Sequence, residues 1–342
     1  MDVEKQVLKV GRLGLVTDFG DHFSSAFCLV VFAVMAAGSF AEEESETQDV
    51  EVPVAETSSQ TQVSVGGGHA CYIDSLGELS CWGEGTLGQT ASPSGTFSQV
   101  STGTTHSCAI DTVGSIVCWG GNANGETDAP TGHFSQVSAG ATHSCAIDLA
   151  GGVSCWGDGA TENPDQGQPF LEVRSGLTHS CGITDDSLVQ CWGPPGKLET
   201  SVPSVLFSQV SVGATQACGV TTAGNLQCWG EASEQGWRPP GGPFSGVSVS
   251  EAYACGVTVD GTVLCWGDSN LATAPSPIET FVSVSAGPHL ICGVTVTDEV
   301  LCWDGDPDSQ VEQIVDQPMA SPAPRPAPSS SRERRPRRRR DR

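Results

Sequence analysis

The sequence predicts an all-β protein, a seven-bladed β-propeller of 36–37-residue repeats, and three recurrences carry that expectation. Cysteines fall in seven pairs, each pair ten positions apart: Cys71/Cys81, Cys108/Cys118, Cys145/Cys155, Cys181/Cys191, Cys218/Cys228, Cys255/Cys265 and Cys292/Cys302. A tryptophan follows every second cysteine, at Trp82, Trp119, Trp156, Trp192, Trp229, Trp266 and Trp303. A phenylalanine recurs upstream of repeats two to seven, at Phe97, Phe134, Phe170, Phe207, Phe244 and Phe281. A fixed period of this length marks a stacked or radial array, in which a unit too small to bury both its faces is covered by its neighbours. Radial closure is favoured over a linear stack, because neither end carries a polar capping repeat.

Each repeat reads as strands. Phe134-Ser-Gln-Val-Ser138 alternates apolar and polar, His143–Asp148 follows after Gly140, and Val153–Gly157 follows a turn. If the two cysteines of a pair face each other across a hairpin, paired positions sum to ten counted from the first. Asp148 then opposes Gly152, leaving a three-residue loop that ends on Gly151. Such loops want a left-handed residue there, usually glycine. Gly77, Gly114, Gly151, Gly224 and Gly261 occupy that position, with Ser187 and Asp298 as the two exceptions. Opposed cysteines at roughly 4.5–5.5 Å between Cα atoms are within reach of a disulfide. Seven local disulfides are expected, and such a density belongs to an oxidising compartment. Zinc is the competing reading, but zinc knuckles space their cysteines by two to four residues.

Composition agrees. The 342 residues include 42 Gly and 21 Pro, a profile of short strands and many turns. The formal charge of −25 is divided unevenly. The last 23 residues hold nine Arg against Glu333 and Asp341, a local +7, so everything before them is −32. An acidic body disfavours nucleic acid as a ligand of the propeller. Residues 1–41 read as a signal peptide or signal anchor: Lys5, Lys9 and Arg12 precede an uncharged stretch from Phe23 to Ala41. Residues 42–61 form an acidic disordered linker, 62–317 the propeller, and 318–342 a Pro/Ser/Arg-rich disordered basic tail. The expected location is secreted, periplasmic or cell surface. Polyanion contact is assigned to the Arg-rich tail alone.

The string His106-Ser-Cys-Ala-Ile-Asp111, then Gly114, then Val117-Cys-Trp-Gly120 resembles a repeat of the regulator of chromosome condensation family. Gly120-Gly-Asn-Ala-Asn-Gly125 and Leu87-Gly88-Gln89 resemble its Gly-rich loop. The resemblance spans residues 62–304, recurs seven times and implies a seven-bladed propeller. The form with two cysteines per repeat is similar to exported bacterial members. The founding member is a nuclear exchange factor for a small GTPase with longer repeats and an inserted wedge. This chain has no such insertion, so guanine-nucleotide exchange is disfavoured. An exported relative with this fold inhibits a secreted enzyme, and inhibition is therefore an alternative.

No nucleophile elbow, phosphate loop or zinc-protease motif occurs, so neither an enzyme nor a cofactor is expected. His69, His106, His143 and His179 stand two positions before the first cysteine and His289 three, with Gln216 and Tyr253 in repeats five and six. A ring of imidazoles could hold a metal. The preferred reading has each ring bonding backbone within its own blade, so no metal site is assigned. Asp304-Gly-Asp-Pro-Asp308 has the alternating carboxylates of a calcium loop but lacks its Gly and final acid, and reads as a solvated turn. Trp237 lies outside the repeat register beside Arg238, one of three basic residues between 62 and 304. Exposed Trp and Arg are common binding hot spots, which makes Trp237 and Arg238 the candidate binding residues. The expected function is a monomeric, non-enzymatic extracellular or cell-surface scaffold for a protein partner, acting through the loops after each Trp-Gly.

Overall fold

The computed structural model describes residues 61–158, 164, 167–194, 201–230, 237–267, 278–304 and, as backbone, 312–314. The leader, the acidic linker, the basic tail and the acids Asp306 and Asp308 lie outside the described residues. Seven antiparallel sheets follow one another, one per repeat. Blade 1 is β1 (Gln62–Val65), β2 (His69–Ile73) and β3 (Leu79–Gly83); blade 2 is β4 (Phe97–Thr102), β5 (His106–Asp111) and β6 (Ile116–Gly120). Blade 3 is β7 (Phe134–Ala139), β8 (His143–Asp148) and β9 (Val153–Gly157); blade 4 is β10 (Phe170–Ser175), β11 (Ser180–Thr184) and β12 (Val189–Trp192). Blade 5 is β13 (Phe207–Val212), β14 (Gln216–Thr221) and β15 (Leu226–Gly230); blade 6 is β16 (Phe244–Val249), β17 (Tyr253–Thr258) and β18 (Val263–Gly267). Blade 7 adds an outer strand to its three: β19 (Phe281–Ala286), β20 (Ile291–Thr295), β21 (Val300–Trp303) and β22 (Glu312–Ile314).

The hairpin register is the one the cysteine spacing demands. Cys71 faces Cys81, Cys108 faces Cys118, Cys145 faces Cys155 and Cys181 faces Cys191. Cys218 faces Cys228, Cys255 faces Cys265 and Cys292 faces Cys302 in the last three blades. All seven pairs are disulfide-bonded. Their Cα atoms are 4.0–4.1 Å apart, closer than the expected range. The alternation of the ladder explains this. Asp74 N bonds Glu78 O, so the cysteines three steps away form a non-hydrogen-bonded pair, the closer kind.

The two sulfurs of a pair do not share one environment. The first cysteine of every pair is fully buried on the middle strand. Its partner on the third strand is only half-buried in six blades, at Cys81, Cys118, Cys155, Cys191, Cys228 and Cys265. Cys302 is the exception and is buried, because β22 pairs along β21 and lays Glu312 beside it.

The turn residues also take the expected backbone. Gly77, Gly114, Gly151, Gly224 and Gly261 have φ between +80° and +93°. Ser187 (+65°) and Asp298 (+61°) are the non-glycine residues with positive φ among those described.

One expectation needs amending. Simple alternation along Phe134-Ser-Gln-Val137 would put Phe134 and Val137 on opposite faces, yet both are buried in one cluster. The register shifts between Phe134 and Gln136, a β-bulge that recurs at the same place in blades 2 to 7. The extra residue, Ser135, turns outward and returns the following valine to the side that holds the phenylalanine.

The cores lie between blades. Cys71 and Ile73 of blade 1 pack with Phe97, Val100 and Ala109 of blade 2, and equivalent clusters fill each later interface. The seventh joins Cys292, Val294 and Val300 of blade 7 to Val63, Val65 and Trp82 of blade 1. The ring therefore closes by side-chain packing, with each blade built from its own repeat.

Candidate functional site

The innermost strand of each blade (β1, β4, β7, β10, β13, β16, β19) pairs on one side only and turns its other edge to the central channel. A free edge leaves backbone N–H groups without ladder partners. The repeat supplies them from the neighbouring blade. Thr102 N donates to Ser64 Oγ (3.0 Å), Ala139 N to Ser101 Oγ (3.0 Å) and Ser175 N to Ser138 Oγ (2.8 Å). Val249 N donates to Ser211 Oγ (2.9 Å), Ala286 N to Ser248 Oγ (3.0 Å), and Val65 N to Ser285 Oγ (2.9 Å), which crosses the ring closure. A second girdle uses carboxamides: Val137 N to Gln99 Oε1 (2.8 Å), Val173 N to Gln136 Oε1 (2.7 Å) and Val247 N to Gln209 Oε1 (2.7 Å). Blade 4 departs from both. Glu172 stands in the glutamine position and still accepts from Val210 N (3.0 Å), while Arg174 replaces the serine and pairs with Glu172 (2.9 Å).

One mouth of the channel is a ring of backbone. Gly66, Gly103, Gly140, Gly176, Gly213 and Gly287 end the inner strands, with Ser250 in blade 6. A Cβ on Gly103 would lie 2.1 Å from the Gly140 carbonyl oxygen, and one on Gly176 would lie 2.1 Å from that of Gly213. Thr104, Ala141 and Leu177 donate to these same rim carbonyls in the next blade, each at 3.1 Å. Close approach of neighbouring backbones excludes side chains at the glycine positions of this ring. At the other end the hairpin turns gather. Phe97 N bonds Gly77 O and Phe134 N bonds Gly114 O, so each turn sits beside the start of the next inner strand. Leu76, Val113, Leu149, Val259 and Val296 project from these turns, 61–75% exposed.

Three of the five histidines join blades rather than bonding backbone within their own, contrary to the expectation. His69 Nε2 meets Ser107 Oγ at 2.7 Å, His106 Nε2 meets Ser144 Oγ at 2.8 Å, and His143 Nε2 meets Ser180 Oγ at 2.9 Å. In blade 5 the Gln216 amide donates to the Ser250 and Glu251 carbonyls, and in blade 6 the Tyr253 hydroxyl donates to Gly287 O (2.6 Å). Burial pushes His69, His106 and His143 down to about 4, so these rings are neutral at physiological pH. His179 instead meets the Pro194 carbonyl of its own blade, and His289 is exposed. Among the described residues no three potential metal ligands come together.

Trp237 is buried, not presented to solvent. It is 7% exposed and packs with Val220, Phe244, Val249 and Trp266 at the interface of blades 5 and 6. An aromatic outside the repeat register is here an extra core residue, and the expected hot spot is lost with it. Arg238 alone of that pair remains exposed. The in-register tryptophans also divide. Trp192, Trp229, Trp266 and Trp303 are buried, whereas Trp82, Trp119 and Trp156 are half-buried. Two loop residues escaped the sequence reading: the Gln89 and Glu126 carbonyls accept the indole N–H of Trp119 (2.8 Å) and Trp156 (2.7 Å). Both are 2% exposed. The signal was present as Gly88-Gln89-Thr90 and Gly125-Glu126-Thr127, a match at one repeat length.

Seven disulfide-stapled blades around a polar channel define a seven-bladed β-propeller whose two rims carry its exposed loops and turns. Three of the repeats match a known family: the model described as "Regulator of chromosome condensation (RCC1) repeat" matches residues 60–89, 97–126 and 134–162. Among solved structures it is similar to the entire ectodomain of the Physcomitrella patens receptor kinase CR4. That match has 27% identity and a TM-score of 0.63, and covers 72% of each chain. It is also similar in fold to the CRINKLY WD40 ectodomain of the Arabidopsis thaliana receptor kinase ACR4, with 24% identity and a TM-score of 0.62. The second match covers 72% of this chain and 97% of that one. No curated protein matches the sequence.

Proposed function

We propose that this chain is a non-enzymatic extracellular or cell-surface scaffold that binds a protein partner through the face carrying its hairpin turns. The observation that carries the reading is the recurrence of exposed aliphatic side chains at the turn tips, Leu76, Val113, Leu149, Val259 and Val296. A turn tip has no packing need for a leucine or valine, and five at equivalent places around one rim are candidate anchors for a partner. Blade 4 adds Leu171 and blade 7 adds Val282 near the same rim, both more than half exposed. The extracellular part rests on a disulfide in every blade, a density suited to oxidising compartments, and on similarity to a receptor ectodomain.

The test is a comparison of faces. Photo-cross-linkers placed beside Leu76 and Leu149 should capture one discrete protein at the surface of the producing cell. The triple variant Leu76→Ser, Val113→Ser, Leu149→Ser should lose that capture while its melting temperature stays within a few degrees of the unaltered chain. Arg238→Ala, in the loop after blade 5, should capture as before. Capture lost by Arg238→Ala but retained by the triple variant would reject the turn face.

A further inference from the structure

We infer that the wide half of the central channel is a binding site for a small organic anion, its carboxylate or phosphate held by Arg174 and a ring of serine hydroxyls. The cavity has a volume of about 340 Å³ and is walled by the inner strands. That volume is in the range of small-molecule sites. Arg174 is the single charged residue among the described ones that line it.

Arg174 gives the ligand's sign, and the wall hydroxyls are compatible with it. Ser64, Ser101, Ser138, Ser211, Ser248 and Ser285 each use an oxygen lone pair to accept a backbone N–H from the next blade. With one lone pair taken, each hydroxyl keeps one proton and one lone pair, so it can donate to an acceptor in the channel. The Ser64 hydroxyl also meets Thr102 Oγ1 at 2.9 Å. The guanidinium, with the remaining serine hydroxyls around the same space, suits an acceptor-rich group. The carboxylate paired with Arg174 occupies only part of the guanidinium. Glu172 Oε1 is engaged by Arg174 Nε and Oε2 by Val210 N, and its side chain is 12% exposed. That grip holds the guanidinium by its Nε edge. Its two terminal nitrogens remain for a bidentate contact, the geometry in which arginine binds carboxylate or phosphate. The substitution is also one the fold does not need. The six other blades carry serine where blade 4 carries Arg174, and serine is what closes the girdle.

The inference is independent of the protein-binding reading, because its ligand enters the channel and its residue lies away from the turn tips. Calorimetric titration of the oxidised full chain at low salt would use inorganic phosphate, glucuronate and neutral glucose. The unaltered protein is expected to bind phosphate or glucuronate with a Kd of about 1 mM or tighter, and not glucose. Stronger binding of phosphate would mark a phosphorylated ligand, and of glucuronate a carboxylated one. Arg174→Ser restores the repeat residue, so it should fold with an unchanged or higher melting temperature while its affinity falls at least about tenfold. Glu172→Gln likewise restores the repeat residue and should tighten binding by removing a like charge. Absence of anion binding to the unaltered chain would overturn the inference. Undiminished binding by a folded Arg174→Ser protein would overturn it equally.

Discussion

Blades 1 to 3 and blades 4 to 7 solve one packing problem in two ways. In the first group a histidine ring bonds a serine of the next blade, and in blades 2 and 3 the tryptophan N–H reaches a loop carbonyl. These polar contacts add to the apolar clusters between the blades, and blades 1 to 3 are also where the repeat model matches. In the second group the tryptophan turns inward against the phenylalanine of its own blade. Ring centroids are 5.9 Å apart in blade 4, 5.4 Å in blade 5, 6.4 Å in blade 6 and 5.5 Å in blade 7. Trp229, Trp266 and Trp303 then bury an indole N–H with no partner among the described residues, as does Trp237. A buried unpaired donor costs about 1–3 kcal/mol, less than the burial of so large a side chain returns. The repeat motif therefore specifies a register, while the interactions at that register shift between hydrogen bonding and apolar burial.

The largest test of the comparison is truncation of the tryptophans. Trp229→Ala should cost about 3–5 kcal/mol as a buried aromatic, and Trp237→Ala should rank beside it. Trp119→Ala, half-exposed and held by one hydrogen bond, should cost about 1–2 kcal/mol. Denaturant melts of the three variants give the order directly. If Trp119→Ala were the most damaging, the division of the blades would fail.

Next in size is the rim. Gly176→Ala places a methyl 2.1 Å from a carbonyl oxygen, and the backbones of two blades must part to admit it. A loss of about 1–3 kcal/mol is expected. Ser250→Gly at the same ring position should be tolerated, since the six other blades carry glycine there. The two melts are measured side by side.

Acid should weaken the first group of blades selectively. His69, His106 and His143 stay neutral in the folded protein down to about 4, whereas in the unfolded chain they protonate near 6.5. Between those values the unfolded state binds more protons, so stability falls as pH drops through the window, by about 1.4 kcal/mol per pH unit for each ring. Above the window these rings contribute no pH dependence. Unfolding free energies at several pH values should show a shallower slope in His106→Gln, because blade 5 already uses a glutamine at this position. An unchanged slope would remove His106 from the acid response.

The smallest expected effect concerns the turns. Ser187 holds a left-handed backbone that glycine adopts in five other blades. Ser187→Gly relieves a penalty of about 1–2 kcal/mol, but glycine gains freedom in the unfolded chain worth about 0.4–1 kcal/mol. A rise in the melting temperature of a few degrees at most is expected. Asp298→Gly in blade 7 provides the independent repeat of the measurement.

Much of this molecule was determined by local sequence. The ten-residue cysteine spacing fixes a hairpin with opposed cysteines and a left-handed residue at position six. That geometry depends on a few neighbouring bonds and reads correctly even at Ser187 and Asp298. The recurrence of one unit seven times also fixes the number of blades. Tertiary structure decided what lies between the units. Alternation along Phe134–Val137 missed the bulge, because a bulge is defined by the partner strand that it slips against. Trp237 looked like a surface residue because the register had no place for it, and only the packed interface of blades 5 and 6 provides one. His106 found its serine 38 positions away, and Ser285 found Val65 across the closure, at a separation of 220 residues. The channel serines look like ordinary polar residues on a strand in the sequence. Once the ring is closed, their lone pairs satisfy the edge of the next blade and the same serines line a common cavity.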